Sequence, residues 1–396
     1  MPFAPDDATA PAAPADPGSR LAAEPLDPEL LVADVVDLVR AESPTGDAAG
    51  IEEVHARLRR ILAPVGAAVT TRSHDSGAHL IAHVDGVGEA PDAPPVLLLG
   101  HADTVWPRGT VDAHGIRRDG ARLDAPGGYD MKAGLVIAAH ALRLLRRAAV
   151  PHPPVVLLVT ADEEIGTPSG RDLVREHALA ARAVLGFEPP HADGALKTAR
   201  LGSARVRLTV DGRAAHAALE PLAGVSAIDE LVDQLRAIRA LAEAHPTALL
   251  NVGTVEGGGL TNMIPHRAHA DLGLRTPDEA TETSLLAGLR ALAPVRAGAS
   301  VDVEVLSSRP AWSGESADEL LQRVIAAAAS VGQAVGGRPA AGAADTNLTG
   351  RLGVPTLDGF GPLGGGAHAR HEHMLTDSLA PRVRLAAATI AALGDD

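Results

Sequence analysis

Short apolar runs that end in polar residues recur along the chain. Residues 96–99 are VLLL, between a Pro-Pro pair and a glycine; residues 155–160 are VVLLVT and residues 183–187 are AVLGF. Such runs predict strands that are buried on both faces, as in a parallel sheet. Ligands of open α/β sheets bind outside the carboxyl ends of the strands. The polar residues that follow the three runs are therefore candidates for a single site.

A histidine and several carboxylates follow these runs. His101 and Asp103 come after the first run, Glu163 and Glu164 after the second, and Glu188 after the third. A neutral imidazole binds divalent metals, and a nearby carboxylate can accept its other ring N–H. Consecutive carboxylates at the end of a buried strand repel one another, which favours a cation among them over a solvated turn. For His101 and Asp103 taken alone, a surface loop is the commoner role, and that alternative stays open.

Apolar residues at helical spacing alternate with these strands. They predict helices over residues 27–39, 51–62, 131–147, 171–180, 317–329 and 379–393, and further strands near 67–71 and 79–84. Residues 104–126 are polar and predict a loop. Asp130 follows two glycines and directly precedes the helix over 131–147. It would act there either as a helix N-cap or as a metal ligand, and the pattern leaves both roles open.

The pattern changes near residue 200. Residues 205–210 alternate arginine or threonine with valine or leucine, which predicts a strand with one wet face. The elements that follow have the order β-α-β-β-α-β, and the α/β pattern then resumes. We predict an α/β domain with helices on both faces of its sheet, built from residues 26–199 and 308–396, with an α+β domain inserted over 200–307. Residues 1–25 are predicted to be a disordered tail.

The glycine-rich segment GPLGGGAHARHEH near the C-terminus is a further candidate. A phosphate-binding loop requires a helix directly after its glycines, and none is predicted here. A glycine-lined turn that presents His368 is therefore the better interpretation.

Composition limits the possible partners and cofactors. Aromatic residues make up 2% of the chain and the formal net charge is −15, so neither nucleic acid nor an anionic membrane is expected as a partner. The chain has no cysteine, which leaves histidine and carboxylates as the ligands for any metal. No run of 18 apolar residues predicts a membrane span. The first twenty residues lack the basic and apolar regions of a secretory signal, so we predict a cytoplasmic protein.

Five segments together resemble one protein family. GHADTV, GGYDMKAG, TADEEIG, LGFEP and GGGAHARHE occur in this order, with an inserted domain before the last. In this the chain resembles the M20 metallopeptidases, most closely their glutamate carboxypeptidase group. The resemblance implies a zinc-peptidase-like catalytic domain with a mixed sheet, a ferredoxin-like lid and dimerisation domain, and a homodimer. It also implies a two-zinc hydrolase, with cobalt as a possible metal, that acts on a small peptide or an N-acyl amino acid.

The resemblance also assigns roles to individual residues. The metal ligands would be His101 and Glu188 on one zinc, Glu164 and His368 on the other, and Asp130 as the bridge. Glu163 would be the general base and Asp103 would orient His101. The peptide between Asp130 and Met131 is expected to be cis.

In the inserted domain, His216 would donate to the developing oxyanion, often from the partner subunit. Asn262, Arg275 and Arg309 match positions that hold the substrate carboxylate. Three of these assignments have open alternatives, namely an exposed turn for His216 and a surface salt bridge for Arg275 and for Arg309. The chain also departs from the family pattern, since Gly273 stands where an Asp-x-Arg motif has its arginine, AADTN (343–347) replaces an SDGN-like segment, and His371 and His373 lie close to His368.

The sequence supports three functional hypotheses. The first is a carboxypeptidase that releases a C-terminal amino acid such as glutamate. The second is an N-acyl amino-acid deacylase of the acetylornithine deacetylase and succinyl-diaminopimelate desuccinylase type. The third is a catalytically silent relative that binds metal, which would be expected to have lost the base or a ligand.

Overall fold

A computed structural model describes residues 16–88 and 93–394, and most of the predicted elements are present in it. The α-helices are α1 (Pro17–Ala23), α2 (Pro28–Arg40), α3 (Ala48–Leu62), α4 (Thr110–His114), α5 (Ala133–Arg147), α6 (Arg171–Ala180), α7 (Ala227–Glu243), α8 (Glu279–Arg290), α9 (Asp318–Ser330), α10 (Thr346–Arg351) and α11 (Leu379–Ala392). The strands are β1 (Ala68–Arg72), β2 (His79–Val84), β3 (Val96–His101), β4 (Arg117–Asp119), β5 (Arg122–Asp124), β6 (Val155–Thr160), β7 (Ala183–Gly186), β8 (Leu196–Arg200), β9 (Gly202–Asp211), β10 (Ala215–His216), β11 (Leu249–Gly257), β12 (Met263–Ile264), β13 (Arg267–Thr276), β14 (Ser300–Arg309), β15 (Gly337–Ala340), β16 (Thr356–Leu357), β17 (Gly364–Gly365) and β18 (His373–Leu375). Strands β2 and β6 and helix α6 have the predicted bounds.

The largest sheet has the order β1-β2-β6-β3-β7-β16 and is mixed. Strands β6, β3, β7 and β16 are parallel, whereas β1 and β2 are antiparallel to their neighbours. In β3, Leu98 packs into the core formed with α2, α3, α5 and α11, and Leu97 and Leu99 pack on the opposite face with α6 and α10. Helices therefore cover both faces, which explains the uninterrupted apolar runs.

The second sheet is antiparallel, with the order β11-β13-β9-β14. Helices α7 and α8 pack on one face, where Val206, Leu208 and Val210 of β9 join their core. The opposite face carries Arg205 and Arg207. The element order is the predicted β-α-β-β-α-β. The domain boundaries, and the role of this unit as a lid, stay predictions.

Asn347 connects the two segments that lead into and out of this second sheet. Its side-chain Nδ2 donates to the backbone oxygens of Leu201, at 3.0 Å, and Pro310, at 2.8 Å. Leu201 directly precedes β9 and Pro310 directly follows β14. The AADTN segment, which departs from the family pattern, thus fixes both connections between the sheets.

The disordered tail predicted over residues 1–25 is wrong for its last part. Residues 1–15 lie outside the described residues, but Pro17–Ala23 forms α1. The Asp16 side chain accepts a hydrogen bond from the backbone N–H of Ser19, proline occupies the first turn, and Leu21 is fully buried against the main core. The Arg20 guanidinium further ties this short helix to the end of α5, because it donates to the backbone oxygens of Ala148 and Ala149.

The polar loop predicted over residues 104–126 also contains regular structure. Helix α4 is followed by a hairpin of β4 and β5 that turns at Gly120, whose φ is +57°. Strand β5 pairs with β18, which lies some 250 residues later, so local pattern alone could not reveal it. Among the described residues, no helix combines the length and apolar character that crossing a bilayer requires.

His55 of α3 should make the stability of the protein sensitive to acid. Its side chain is fully buried and neither ring nitrogen has a hydrogen-bond partner among the described residues. Burial lowers the pKa of His55 to about 4, against an ordinary value of 6.5; the nearby Glu52 only partly opposes this shift. The unfolded chain therefore binds a proton more readily, and stability is lost as the pH falls from 6.5 towards 4.

Between pH 7 and pH 4, the free energy of unfolding of His55→Leu should fall by about 3 kcal/mol less than that of the wild type. The free energy of unfolding, measured by urea titration at both pH values, provides the test, with the exposed His266→Gln as a control. Equal pH dependence of wild type and His55→Leu would contradict the prediction.

Candidate metal centre and substrate cavity

The carboxyl ends of three neighbouring parallel strands supply most of the candidate ligands. His101 is the last residue of β3, Glu163 and Glu164 begin a 3₁₀ turn just after β6, and Glu188 follows β7. These strands are adjacent in the order β6-β3-β7. The side chains meet at one sheet edge, as the sequence predicted.

Asp130 lies between two histidines. Its Oδ1 is 3.5 Å from Nε2 of His101, and its Oδ2 is 3.3 Å from Nε2 of His368. Its carboxylate makes no capping hydrogen bond to α5, whose N-cap is Lys132. The N-cap alternative is therefore not realised. The Asp130–Met131 peptide is cis, which confirms that expectation.

A glycine allows the segment that carries Asp130 to approach the sheet. A Cβ at Gly134, in the first turn of α5, would lie 2.1 Å from the backbone oxygen of Phe187. Only glycine permits this contact between α5 and the end of β7, next to Glu188.

The distances between the candidate ligand atoms suit divalent metal ions. Nε2 of His101 is 3.4 Å from Oε1 of Glu188, and Nε2 of His368 is 3.2 Å from Oε2 of Glu164. Tetrahedral zinc with bonds of about 2.0–2.2 Å places neighbouring ligand atoms about 3.3–3.6 Å apart. Nε2 of His101 and Oε1 of Glu164 are buried without a hydrogen-bond partner among the described residues. Buried polar atoms are rarely left unpaired, so this donor set fits metal ions.

Asp103 connects His101 to the 3₁₀ turn that carries Glu163 and Glu164. Nδ1 of His101 lies 2.9 Å from the backbone oxygen of Asp103 and 3.3 Å from its Oδ1. The Asp103 carboxylate also accepts the backbone N–H groups of Glu163, at 3.1 Å, and Glu164, at 3.2 Å. This arrangement leaves Nε2 of His101 directed towards the ligand cluster.

The crowding of acidic groups shifts the pKa values of the site. Burial raises the pKa of Glu163 well above its usual range, although the charge of Arg309 opposes the shift. Burial, followed by repulsion from Asp130, raises the pKa of Glu188. Hydrogen bonds to Asp130 and Glu164 raise the pKa of His368 to about 10. Binding of divalent cations by this cluster would therefore release protons.

The glycine-rich segment presents His368 and not its neighbouring histidines. His368 has a φ of +62° in the left-handed region, two residues after Gly366 with a φ of +77°. Its Nε2 faces Asp130 and Glu164. His371 is exposed, and Nδ1 of His373 hydrogen-bonds to the backbone oxygen of His371 at 3.0 Å.

Glu372, which no sequence pattern indicated, holds the segment around Asp130. Its carboxylate accepts the backbone N–H groups of Gly127, Tyr129 and Asp130 at 2.9–3.1 Å and the indole N–H of Trp106 at 2.6 Å. The side chain is nearly fully buried. The available signal was an acidic residue four positions after His368, within the motif already singled out.

We expect Glu372→Gln to lower the free energy of unfolding by about 1–3 kcal/mol, since the NH₂ group that replaces one carboxylate oxygen would face N–H donors and cannot accept their hydrogen bonds. Metal affinity should also fall, by about 10-fold to 100-fold, because Asp130 loses its support. Urea unfolding and metal titration measure the two effects. Trp106→Phe removes one of the four hydrogen bonds and should have a smaller effect; equal effects of both variants would contradict this role.

A cavity of about 340 Å³ lies between the ligand cluster and the face of the second sheet that is not covered by α7 and α8, which we call the wet face. Arg205, Arg275 and Arg309 all line it. Arg309 forms an ion pair with Oε1 of Glu163 at 2.9 Å, and Arg275 donates to the Ser203 hydroxyl. The side chain of Arg205 makes no hydrogen bond or ion pair with another described residue.

Gly273 leaves room for Arg205. The two residues are paired across β9 and β13, and a Cβ at Gly273 would meet no atom within 4 Å. Strand β13 has Gly273 in place of the arginine of the Asp-x-Arg motif, and at this position it pairs with Arg205 of β9. The local sequence around Arg205 did not indicate a role for it, because its pairing with Gly273 follows only from the register of β9 and β13.

Two predicted site residues lie outside this cavity in the single chain. His216 and Asn262 are exposed, and neither lines the cavity. They are close to each other, because β10 pairs with β12 and the backbone N–H of Ala217 donates to the backbone oxygen of Asn262 at 2.9 Å.

Comparison with known proteins assigns the fold and the family. The chain is 29% identical to carboxypeptidase G2 from Pseudomonas sp. (strain RS-16), over 90% of this chain and 88% of that protein. It is 31% identical to succinyl-diaminopimelate desuccinylase from Gluconacetobacter diazotrophicus, over 85% of this chain and 90% of that protein. The crystal structure of the M20 family metallo-carboxypeptidase Sso-CP2 from Sulfolobus solfataricus superposes with a TM-score of 0.73 at 17% identity, covering 93% of this chain and 100% of the other. The profile of peptidase family M20/M25/M40 matches residues 97–392, and the chain therefore belongs to this family of hydrolases.

Proposed function

We propose that the protein is a two-zinc carboxypeptidase that hydrolyses the amide bond to a C-terminal acidic residue, with glutamate as the preferred one. The observation that carries this proposal is the position of Asp130, whose two oxygens face different histidines. In the proposal, His101 and Glu188 would hold one zinc, Glu164 and His368 would hold the other, and Asp130 would contribute to both sites.

In this mechanism Glu163 is the general base. When bound, two zinc ions would polarise the scissile carbonyl and lower the pKa of water towards neutrality. Glu163 removes a proton from the attacking water and passes it to the leaving amine. Arg309 holds Oε1 of Glu163 at 2.9 Å, which fixes the direction of the carboxylate without making it a metal ligand. Asp103 keeps His101 in the tautomer that leaves Nε2 unprotonated.

The charges of the cavity favour an acidic leaving residue. Arg205 and Arg275 lie on neighbouring strands of the wet face, on the far side of the cavity from the ligand cluster. One guanidinium can pair with the α-carboxylate of the substrate and the other with a side-chain carboxylate. The alternative is deacylation of an N-acyl amino acid with an acidic acyl group, which the 31% identity to a succinyl-diaminopimelate desuccinylase supports.

We further propose that His216 and Asn262 complete the site of a partner subunit in a homodimer. Leu219, Leu222 and Leu260, next to these residues, are 78%, 96% and 71% exposed. Apolar side chains this exposed in one region favour a protein partner. Mixing His216→Asn with Glu163→Gln protein should restore activity, because one site of each mixed dimer then has both residues intact. A monomer in sedimentation, or mixtures that stay inactive, would contradict the proposal.

The substrate panel is the direct test. N-acyl glutamate, N-acyl aspartate, N-acyl leucine and N-succinyl leucine would be incubated with the zinc-loaded protein while the bound metal is counted. We expect about two metal ions per chain and preferential cleavage of N-acyl glutamate. Preference for N-succinyl leucine would support the deacylase alternative, and two bound metals without cleavage of any substrate would favour a silent relative. The choice between zinc and cobalt and the cytoplasmic location stay predictions.

Arg205→Gln should raise KM for N-acyl glutamate by about 10-fold to 100-fold, since one charge-assisted hydrogen bond to the substrate is lost. N-acyl leucine, with a single carboxylate, should be affected less. Arg207→Gln is the matched control. Arg207 lies two residues after Arg205 on the same face of β9, but its guanidinium already hydrogen-bonds to the Asp271 carboxylate. Equal KM values for wild type and Arg205→Gln would exclude this contact.

A further inference from the structure

A second cavity, of about 630 Å³, shares no lining residue with the substrate cavity. We call it the α11 cavity, because the first turns of α11 form one of its walls. The segment after β7 and the segment between α9 and β15 form the others. No step of the proposed hydrolysis uses any of its residues.

The α11 cavity contains a buried guanidinium without an acidic partner. Arg382 is only 6% exposed, and its Nη2 donates to the backbone oxygen of Gly194 at 2.7 Å. The guanidinium of Arg382 makes no other hydrogen bond or ion pair within residues 16–88 and 93–394. Burial lowers the pKa of Arg382 to about 10, and no neighbouring carboxylate opposes the shift. Buried charges in proteins are normally paired, so this one stands out.

The two carboxylates that line the α11 cavity do not supply the missing charge. Both oxygens of Asp193 are occupied by the guanidinium of Arg338, at 2.8 and 3.0 Å. Asp377 is exposed, and it forms no salt bridge with Arg382. Arg382 is therefore available for an anion from solution.

The α11 cavity has a polar part, formed by Asp193, Gln333, Arg338, Asp377 and Ser378, and an aliphatic part. Leu385 lies one turn after Arg382 along α11 and is almost completely buried, and Ala195, Val335, Leu363 and Leu375 complete the apolar lining. A cavity in which one guanidinium has no acidic partner and part of the lining is aliphatic suits a ligand that has one acidic end and one apolar end. Inorganic phosphate would satisfy the guanidinium but would leave the aliphatic lining unused.

We propose that the α11 cavity binds an aliphatic monocarboxylate, with its carboxylate on Arg382 and its tail against Leu363, Leu375 and Leu385. One N–H of Nη2 donates to Gly194, and its second N–H forms a fork with a neighbouring guanidinium N–H that can bind a carboxylate through both oxygens. The site goes beyond the proposed hydrolysis and does not depend on it. Leu363 and Leu375 bracket the segment that carries His368, so the ligand would contact the base of that segment.

Calorimetric titration of the full-length, zinc-loaded protein with hexanoate tests the proposal. We expect a saturable binding component that is lost in Arg382→Gln and retained in Arg205→Gln, which alters only the substrate cavity. Hexanamide, which lacks the charge, and phosphate, which lacks the tail, should each bind to this site at least about tenfold more weakly. Coincident isotherms for wild type and Arg382→Gln would overturn the proposal. If phosphate binds as tightly as hexanoate, the aliphatic tail does not contribute to binding and the proposed ligand class is wrong.

A measurement on the wild-type protein avoids dependence on the folding of the variant. Crystals of the zinc-loaded protein soaked with 6-bromohexanoate should give an anomalous bromine peak beside Leu385, with the carboxylate within hydrogen-bond distance of Arg382. A bromine peak only near the metal ligands, or no peak at all, would overturn the proposal. Arg382→Lys, which keeps the charge but not the planar fork, should bind hexanoate more weakly than wild type and remain folded by circular dichroism.

Discussion

Glu163→Gln is expected to lower kcat by about 10³-fold to 10⁴-fold while the number of bound metal ions stays the same. Glutamine has the shape of glutamate but cannot accept a proton from water at neutral pH. Arg309 also donates a hydrogen bond to the backbone oxygen of residue 163, and the glutamine Oε1 can still face its guanidinium, so the geometry of the turn should be preserved. Steady-state hydrolysis of N-acyl glutamate and metal counting on the same sample measure the two quantities.

Two variants separate the base from its neighbours. Glu164→Gln alters a candidate ligand and should reduce the bound metal, whereas Glu176→Gln alters an exposed residue of α6 and should change neither quantity. If Glu163→Gln loses metal together with activity, Glu163 is a ligand and the base lies elsewhere. If kcat falls less than tenfold with metal retained, water activation does not require Glu163.

The sequence predicted the sheet edge because local and global constraints agree there. The apolar runs of β3, β6 and β7 are buried on both faces, as is typical of parallel strands in a sheet that helices cover on both sides. Once these strands are neighbours, the residues at their carboxyl ends necessarily meet. The family resemblance then added Asp130 and His368, which local pattern alone left with alternative roles.

Contacts between distant segments could not be predicted in the same way. Glu372 binds backbone N–H groups more than 240 positions earlier, and nothing in its local pattern distinguishes it from a solvated glutamate. The same applies to Arg205, whose significance depends on pairing with Gly273 across two strands. Arg382 is a more extreme case, because what distinguishes it is a missing partner, and only a packed structure reveals that.

The ligand among the three clustered histidines can be identified by substitution with asparagine. His368 has a φ of +62°, where alanine would be strained, whereas asparagine tolerates the left-handed region. The shorter asparagine side chain cannot reach the position that Nε2 of His368 occupies, 3.2 Å from Glu164 and 3.3 Å from Asp130. His368→Asn should therefore remove a metal ligand without a large change in the backbone.

We expect His368→Asn to bind about one metal ion where the wild type binds about two, and kcat/KM to fall by about 10³-fold as several kcal/mol of transition-state stabilisation are lost. His371→Asn and His373→Asn are the matched controls and should keep both metal ions, because His371 is exposed and Nδ1 of His373 is already hydrogen-bonded to backbone. Metal counting after dialysis and hydrolysis of N-acyl glutamate distinguish the three variants. Loss of metal in His371→Asn, with retention in His368→Asn, would mean that the glycine-rich segment rearranges when metal binds and delivers a different histidine.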